Sequence, residues 1–200
     1  MTVGLKSFEE VVAFHGHSCP GLAMGYRAAV VAMAALDVAR PEDEDLVAVV
    51  ENSSCAVDGI QMVAGCTLGK GNLIFLDHGK QVYTFHDRTG GKGVRLAVHW
   101  PGVGESESEQ QAWQRYIDGD RSAAVAKTVA DLKRKKIDAI LTAEAAALFS
   151  LAEPALPVPP PARIHPSLTC ADCGEKVMAS RAATVDGRIL CIPCQGKERG

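Results

Sequence analysis

Apolar positions change period several times before Glu153, and each change marks an element. After Pro20, the residues Leu22, Tyr26, Ala29 or Val30, Met33 and Leu36 recur every three to four positions, which predicts a helix. Pro20 suits its first position, where a missing N–H costs nothing. Gly21, Ala23, Gly25, Ala28, Ala32, Ala34 and Ala35 keep this helix slim, so a neighbour can approach closely. A shorter helix is expected from Phe8 to His15. Leu46 to Val50 is a continuous, largely β-branched run and reads as a buried strand. Ala56 to Ala64 is expected to be a helix with Ile60 and Val63 or Ala64 inward. Strands are expected over Asn72–Leu76, Gln81–His86 and Gly93–Trp100, joined by turns at Asp77-His78-Gly79-Lys80 and Arg88-Thr89-Gly90-Gly91. From Glu105 the pattern is helical again, through Trp113, Tyr116 and Ile117, then Val125, Val129 and Leu132. The basic run Lys133 to Lys136 reads as the end of that helix, where cations complement the dipole, in preference to a nucleic-acid patch. The fold class is α+β: an antiparallel or mixed sheet with packed helices, plus a small C-terminal module.

The boundary of that module is Glu153 to Pro166, where six prolines in fourteen residues favour an extended, semi-rigid spacer. The expected division is a core over 1–152, a linker over 153–166 and a finger over 167–200. A chain of 200 residues, 47% hydrophobic, has enough apolar surface for one sizeable core and an appendage. Its net charge of -3 argues against nucleic acid as the main partner, although Lys176, Arg181, Arg188, Lys197 and Arg199 give the tail a local basic excess. The longest apolar run, Ala28 to Leu36, falls far short of the roughly 20 residues that cross a bilayer. Lys6, Glu9 and Glu10 interrupt the N-terminal region before a secretory signal develops. Four of the seven cysteines form two C-x-x-C pairs, a pattern of metal binding in a reducing compartment. The expectation is therefore a cytoplasmic protein with no membrane segment.

The two pairs, Cys170/Cys173 and Cys191/Cys194, are separated by seventeen residues, the spacing of a structural zinc site. Four thiolates complete the zinc tetrahedron and leave no position for catalysis. Lys176 to Met178 and Ala183 to Leu190, turning at Asp186-Gly187, read as a hairpin between the pairs, and a short last helix is expected at Cys191-Ile192-Pro193-Cys194. A tail this small needs the metal for most of its folding energy.

A second constellation is Phe14-His15-Gly16-His17-Ser18-Cys19-Pro20-Gly21. Read as an extended segment, it places His15, His17 and Cys19 on one side, as three metal ligands or as two ligands and a supporting partner. The following helix N-terminus favours a Cys19 thiolate. Cys55 and Asp58 follow the buried strand and are placed to join this site. Cys66, about 16 Å farther along the intervening helix, is too distant to share one metal. The segment Gly65-Cys66-Thr67-Leu68-Gly69-Lys70-Gly71 lacks the spacing and the hydroxyl of a Walker loop. It does leave Lys70 as a candidate contact for an anionic cofactor.

The segments HGHSCPGLAMGYR, SCAVDGIQMVAGCTLGKGNL and DHGKQVYTFHDRTGGKGVRL resemble, in order and spacing, the FmdE family of formylmethanofuran dehydrogenase components. The tail is similar to the treble-clef zinc finger that some members carry. The resemblance implies an α+β core, a homodimer, and a metal or ligand site built from His17, Cys19 and Cys55, with His15 and Asp58 as neighbours. It also implies an accessory role beside a molybdenum or tungsten enzyme whose pterin chemistry belongs to other components. Structural zinc in the tail and a second transition metal in the core, zinc itself included, are the expected cofactors. Two other functions stay open: an enzyme using a metal-bound water or Cys19 as nucleophile with His17 nearby, and an interaction module acting through the finger.

Overall fold

The computed structural model describes residues 5–196, so Lys197 and Arg199 of the basic tail lie outside the described residues. The chain divides into one unit up to Pro161 and a second from Ala162, a division that falls inside the proline-rich segment.

The first unit begins with α1 (Phe8–His15) and α2 (Pro20–Leu36). A capping box starts α1, with Ser7 and Glu10 each satisfying the other's backbone N–H. In α2, Ala23, Ala28, Ala29 and Ala32 are all at 0% exposure alongside Leu22 and Met33, because the helix packs on several sides. Then come β1 (Leu46–Val50), α3 (Ala56–Ala64), β2 (Leu73–Phe75), β3 (Val82–Asp87) and β4 (Lys92–Val98). The helical arm α4 (Glu107–Ile117) and α5 (Ala123–Thr142) precedes a single turn, α6 (Ala145–Leu148), and the strand β5 (Phe149–Ala152). The sheet is mixed, in the order β2-β1-β3-β4-β5. Only β1 and β2 run parallel.

One face of the sheet, with Leu46, Ala48, Val50, Tyr83, Phe85, Val94 and Leu96, packs into the core with α2 and α3. Full burial of a side chain such as Phe85 or Leu96 contributes about 1.5–3 kcal/mol. Arg27 fastens the C-terminal end of α5 to α2 by donating to the carbonyls of Leu141 and Ala143.

One expectation for this unit is corrected, and one segment was not anticipated. Lys133 to Lys136 lie in the interior of α5, not at its end. Lys135 and Lys136 pair with Glu109 and Glu105, and Lys133 and Lys136 stand over the rings of Tyr116 and Trp113. Their charge is thus taken up by α4 and the segment before it. The α6–β5 segment also escaped the pattern reading, because Ala145-Ala146-Ala147 shows no helical period and β5 has only Phe149 buried. Beyond β5, Pro154 closes over Gly93, where a side-chain carbon would sit 2.6 Å from the Pro154 ring. Arg88 donates to the carbonyls of Pro159 and Pro160, so this part of the proline-rich segment is tied to the sheet.

The second unit contains β6 (Ser167–Thr169) paired with β7 (Lys176–Met178), and β8 (Ala182–Val185) paired with β9 (Arg188–Cys191) around Asp186-Gly187. A short helix, α7 (Ile192–Gln195), completes it. The expected hairpin is corrected in part: Lys176–Met178 pairs backward with β6 across the first cysteine turn, and β8 and β9 pair with each other. The order of turn, hairpin and short helix is that of a treble clef. Among the described residues, no helix is long and apolar enough to cross a membrane.

Candidate metal centres

Cys19 and Cys55 occupy the N-cap positions of α2 and α3. Gly25 and Gly59 permit those two helices to touch backbone to backbone: a side-chain carbon on Gly25 would fall 1.9 Å from the Ala56 carbonyl oxygen, and one on Gly59 would fall 2.6 Å from the Tyr26 nitrogen. This contact brings the two thiols together. The Cys19 sulfur accepts a hydrogen bond from the Leu22 N–H at 3.4 Å.

The histidines arrive by another route than the extended alternation expected. His15 is the last residue of α1, and Gly16 turns the chain in the left-handed conformation (φ 93°), which glycine adopts without strain. The turn folds His17 back on His15, with ring centroids 4.4 Å apart. One ligand atom from each of His15, His17, Cys19 and Cys55 lies within 4.8 Å of all the others.

Asp58 is not one of these four. It stands behind His15, its carboxylate 2.7 Å from Nδ1, and is itself held by Gln61 at 3.1 Å. A carboxylate can only accept, so in the neutral ring Nδ1 carries the proton and Nε2 keeps its lone pair. That Nε2 is buried and has no hydrogen-bond partner. Two imidazoles and two thiols that converge in this way are a suitable donor set for zinc or a similar borderline-soft ion. The carboxylate–histidine pair is the usual way such a ligand ring is oriented. Burial, reinforced by the nearby Cys19, pushes the Cys55 thiol up, so without a cation the Cys55 sulfur resists ionisation.

Cys66 is completely buried and donates to the Leu46 carbonyl at 3.3 Å. Burial pushes its thiol up to about 12. Lys70 lies on the turn after α3 and donates to the Asp43 carbonyl at 3.2 Å.

In the second unit, Cys170, Cys173, Cys191 and Cys194 likewise present sulfurs within 4.8 Å of one another. Backbone N–H groups of Cys173 and Cys191 lower the Cys170 thiol to about 6, whereas the Cys191 side chain and burial raise Cys194 to about 12. Such a spread within one cluster reflects four like groups competing for charge in a small volume.

Sequence reasoning assigned Asp58 only generally to the first cluster and did not mark Gln61. Their spacing of three on one helix was the available signal for the pair.

The fold and these clusters define an α+β core bearing a C-terminal zinc-finger domain. Residues 14–150 match the family described as FmdE, molybdenum formylmethanofuran dehydrogenase operon, and the chain belongs to that family. Residues 164–199 match the prokaryotic dksA/traR C4-type zinc finger. A protein of Archaeoglobus fulgidus, described as a probable S-adenosyl-L-methionine-binding protein, is 35% identical over 193 residues, covering 92% of this chain and 50% of that relative. The chain thus spans about half the length of this curated relative. The fold is similar to the crystal structure of a tungsten formylmethanofuran dehydrogenase FmdE-like protein from Syntrophus aciditrophicus. The TM-score is 0.60 at 23% identity, covering 98% of this chain and 95% of that one.

Proposed function

We propose that this protein is a metal-binding accessory protein whose core holds one transition metal, zinc in the first instance, between His15, His17, Cys19 and Cys55. The tail then holds a structural zinc on Cys170, Cys173, Cys191 and Cys194. The observation that carries the core reading is the buried, unpartnered Nε2 of His15, whose other ring nitrogen is fixed by Asp58. A buried polar atom without a partner costs about 1–3 kcal/mol, and a metal ion removes that cost. With His15 included, the protein supplies four donors where the motif reading counted three, so a tetrahedral ion would be closed unless one donor leaves. His17 is the exposed member of the set.

The accessory role follows the family's operon association. Within the same reading the chain acts as a cytoplasmic homodimer beside a molybdenum or tungsten enzyme. Exposed Phe14 and Leu151 supply apolar surface for such contacts. The deciding experiment is metal content per chain by plasma mass spectrometry. The intact protein should hold two metals and Cys55→Ser one, with the finger still loaded. An unchanged count in Cys55→Ser would overturn the core site.

A further inference from the structure

Beside the core cluster a cleft of about 430 Å³ opens at the carboxyl ends of the parallel strands β1 and β2, the place where α/β layers commonly receive ligands. Its volume lies within the range of small-molecule sites, roughly 300–1,000 Å³. One wall is apolar: Val50, Leu73 and Phe75 from the strands, Val57 from α3, and Leu68 from the following turn. Leu68 is 72% exposed and Phe75 46%, so both present free apolar surface. The other wall is polar, with Ser53, Ser54 and Gln61 beside His15, Cys55 and Asp58.

The charge balance of this cleft is one-sided. Among the described residues, no Lys or Arg side chain lines it, and Lys70 is engaged with the Asp43 carbonyl. Asp58 is its one carboxylate. On the metal reading above, a divalent ion and two thiolates cancel, which leaves the Asp58 charge uncompensated. A phosphate or carboxylate brought here would meet a like charge in a partly desolvated cleft with no cation to offset it.

We infer that this cleft binds a small molecule with a flat or aliphatic apolar body and a neutral or positively charged polar end. The body lies on Leu68, Phe75 and Val57, and the polar end turns toward Asp58 and Cys55. The inference rests on the metal reading for its charge balance, while its apolar wall is independent of that reading.

The test uses three probes that share an indole body and differ in tail charge: tryptamine, indole-3-ethanol and indole-3-acetate. Binding to the full chain is followed by ligand-observed NMR, on a sample whose metal content is measured. Tryptamine should bind at least tenfold more tightly than indole-3-acetate, with the alcohol between them. Leu68→Ser should weaken all three by threefold or more, and Asp58→Asn should bring the tryptamine-to-acetate ratio close to one. Acetate binding as tightly as the amine, or no effect of Leu68→Ser, would overturn the inference. No binding at full metal content would also overturn it and leave the metal reading intact. The expected preference in a sample whose core is empty of metal would sustain the cleft and sink the metal reading.

Discussion

Gly25 on α2 and Gly59 on α3 sit in backbone contact, and a side-chain carbon on Gly59 would come within 2.9 Å of the Gly25 carbonyl carbon. Six residues before Gly25 is Cys19, and four before Gly59 is Cys55. The distance between the two thiols is therefore set by how closely these glycines let the helices approach. Gly25→Ala cannot be absorbed by a side-chain rotation, because its nearest neighbours are the backbone atoms of Ala56. The variant should lose about 1–3 kcal/mol of stability from overpacking. It should also lose the core metal while the finger keeps its zinc. A thermal melt with metal analysis checks both, and a variant retaining two metals would show that this contact does not set the thiol spacing.

Asp58 orients His15 without joining the four converging donors. Partners of this kind typically account for 10–100-fold in metal affinity. Asp58→Asn keeps the shape but loses the carboxylate that fixes the ring tautomer. Competition against a chromophoric chelator should show core affinity reduced by about that factor, with the finger unaffected. Wild-type affinity would mean that packing alone holds the ring.

The helices and strands were legible wherever one period persisted over a whole element. The small-residue face of α2 announced a close neighbour, and the two C-x-x-C pairs announced the tail. What the pattern did not carry was three-dimensional partnering. His15, His17 and Cys19 share a site because Gly16 ends a helix with a reversal, not because an extended strand alternates. Lys176–Met178 found its partner upstream, in a segment of three residues too short to show any period. The cleft beside Cys55 joins residues from β1, α3, the following turn and β2, and no local spacing links Leu68 to Asp58.

His86 on β3 is 3% exposed, and its buried Nε2 has no hydrogen-bond partner. Burial, and secondarily the Arg88 cation, hold its pKa below the ordinary value of 6.5. Below that ordinary value the unfolded chain takes up a proton that the folded chain refuses. Stability is therefore lost as pH falls from about 6.5 toward the depressed folded value. Urea midpoints measured between about pH 7 and 5 should fall less steeply in His86→Gln than in the wild type. Parallel slopes would show that His86 titrates alike in both states.

The tail offers the sharpest contrast between burial and metal as sources of order. Its buried cluster consists of Cys170, Leu190, Cys191 and Cys194, with only Val177 and Val185 packed partly against it. Three of those four buried positions are thiols of the proposed site, so little apolar surface remains to hold β6 to β9 together once the metal is gone. The thiols themselves are in conflict over charge: Cys170 is drawn toward ionisation at about 6 while Cys194 is held protonated up to about 12. A divalent cation reverses this conflict by favouring all four thiolates. Adding a strong zinc chelator should therefore collapse the amide dispersion of residues 167–195, with the core signals up to residue 161 still dispersed because Tyr83, Phe85 and Leu96 remain buried. Cys170→Ser should reproduce the selective loss without chelator, and restoring zinc should rescue only the wild type. A tail that keeps its dispersion without metal would show that its two short hairpins stand on their own.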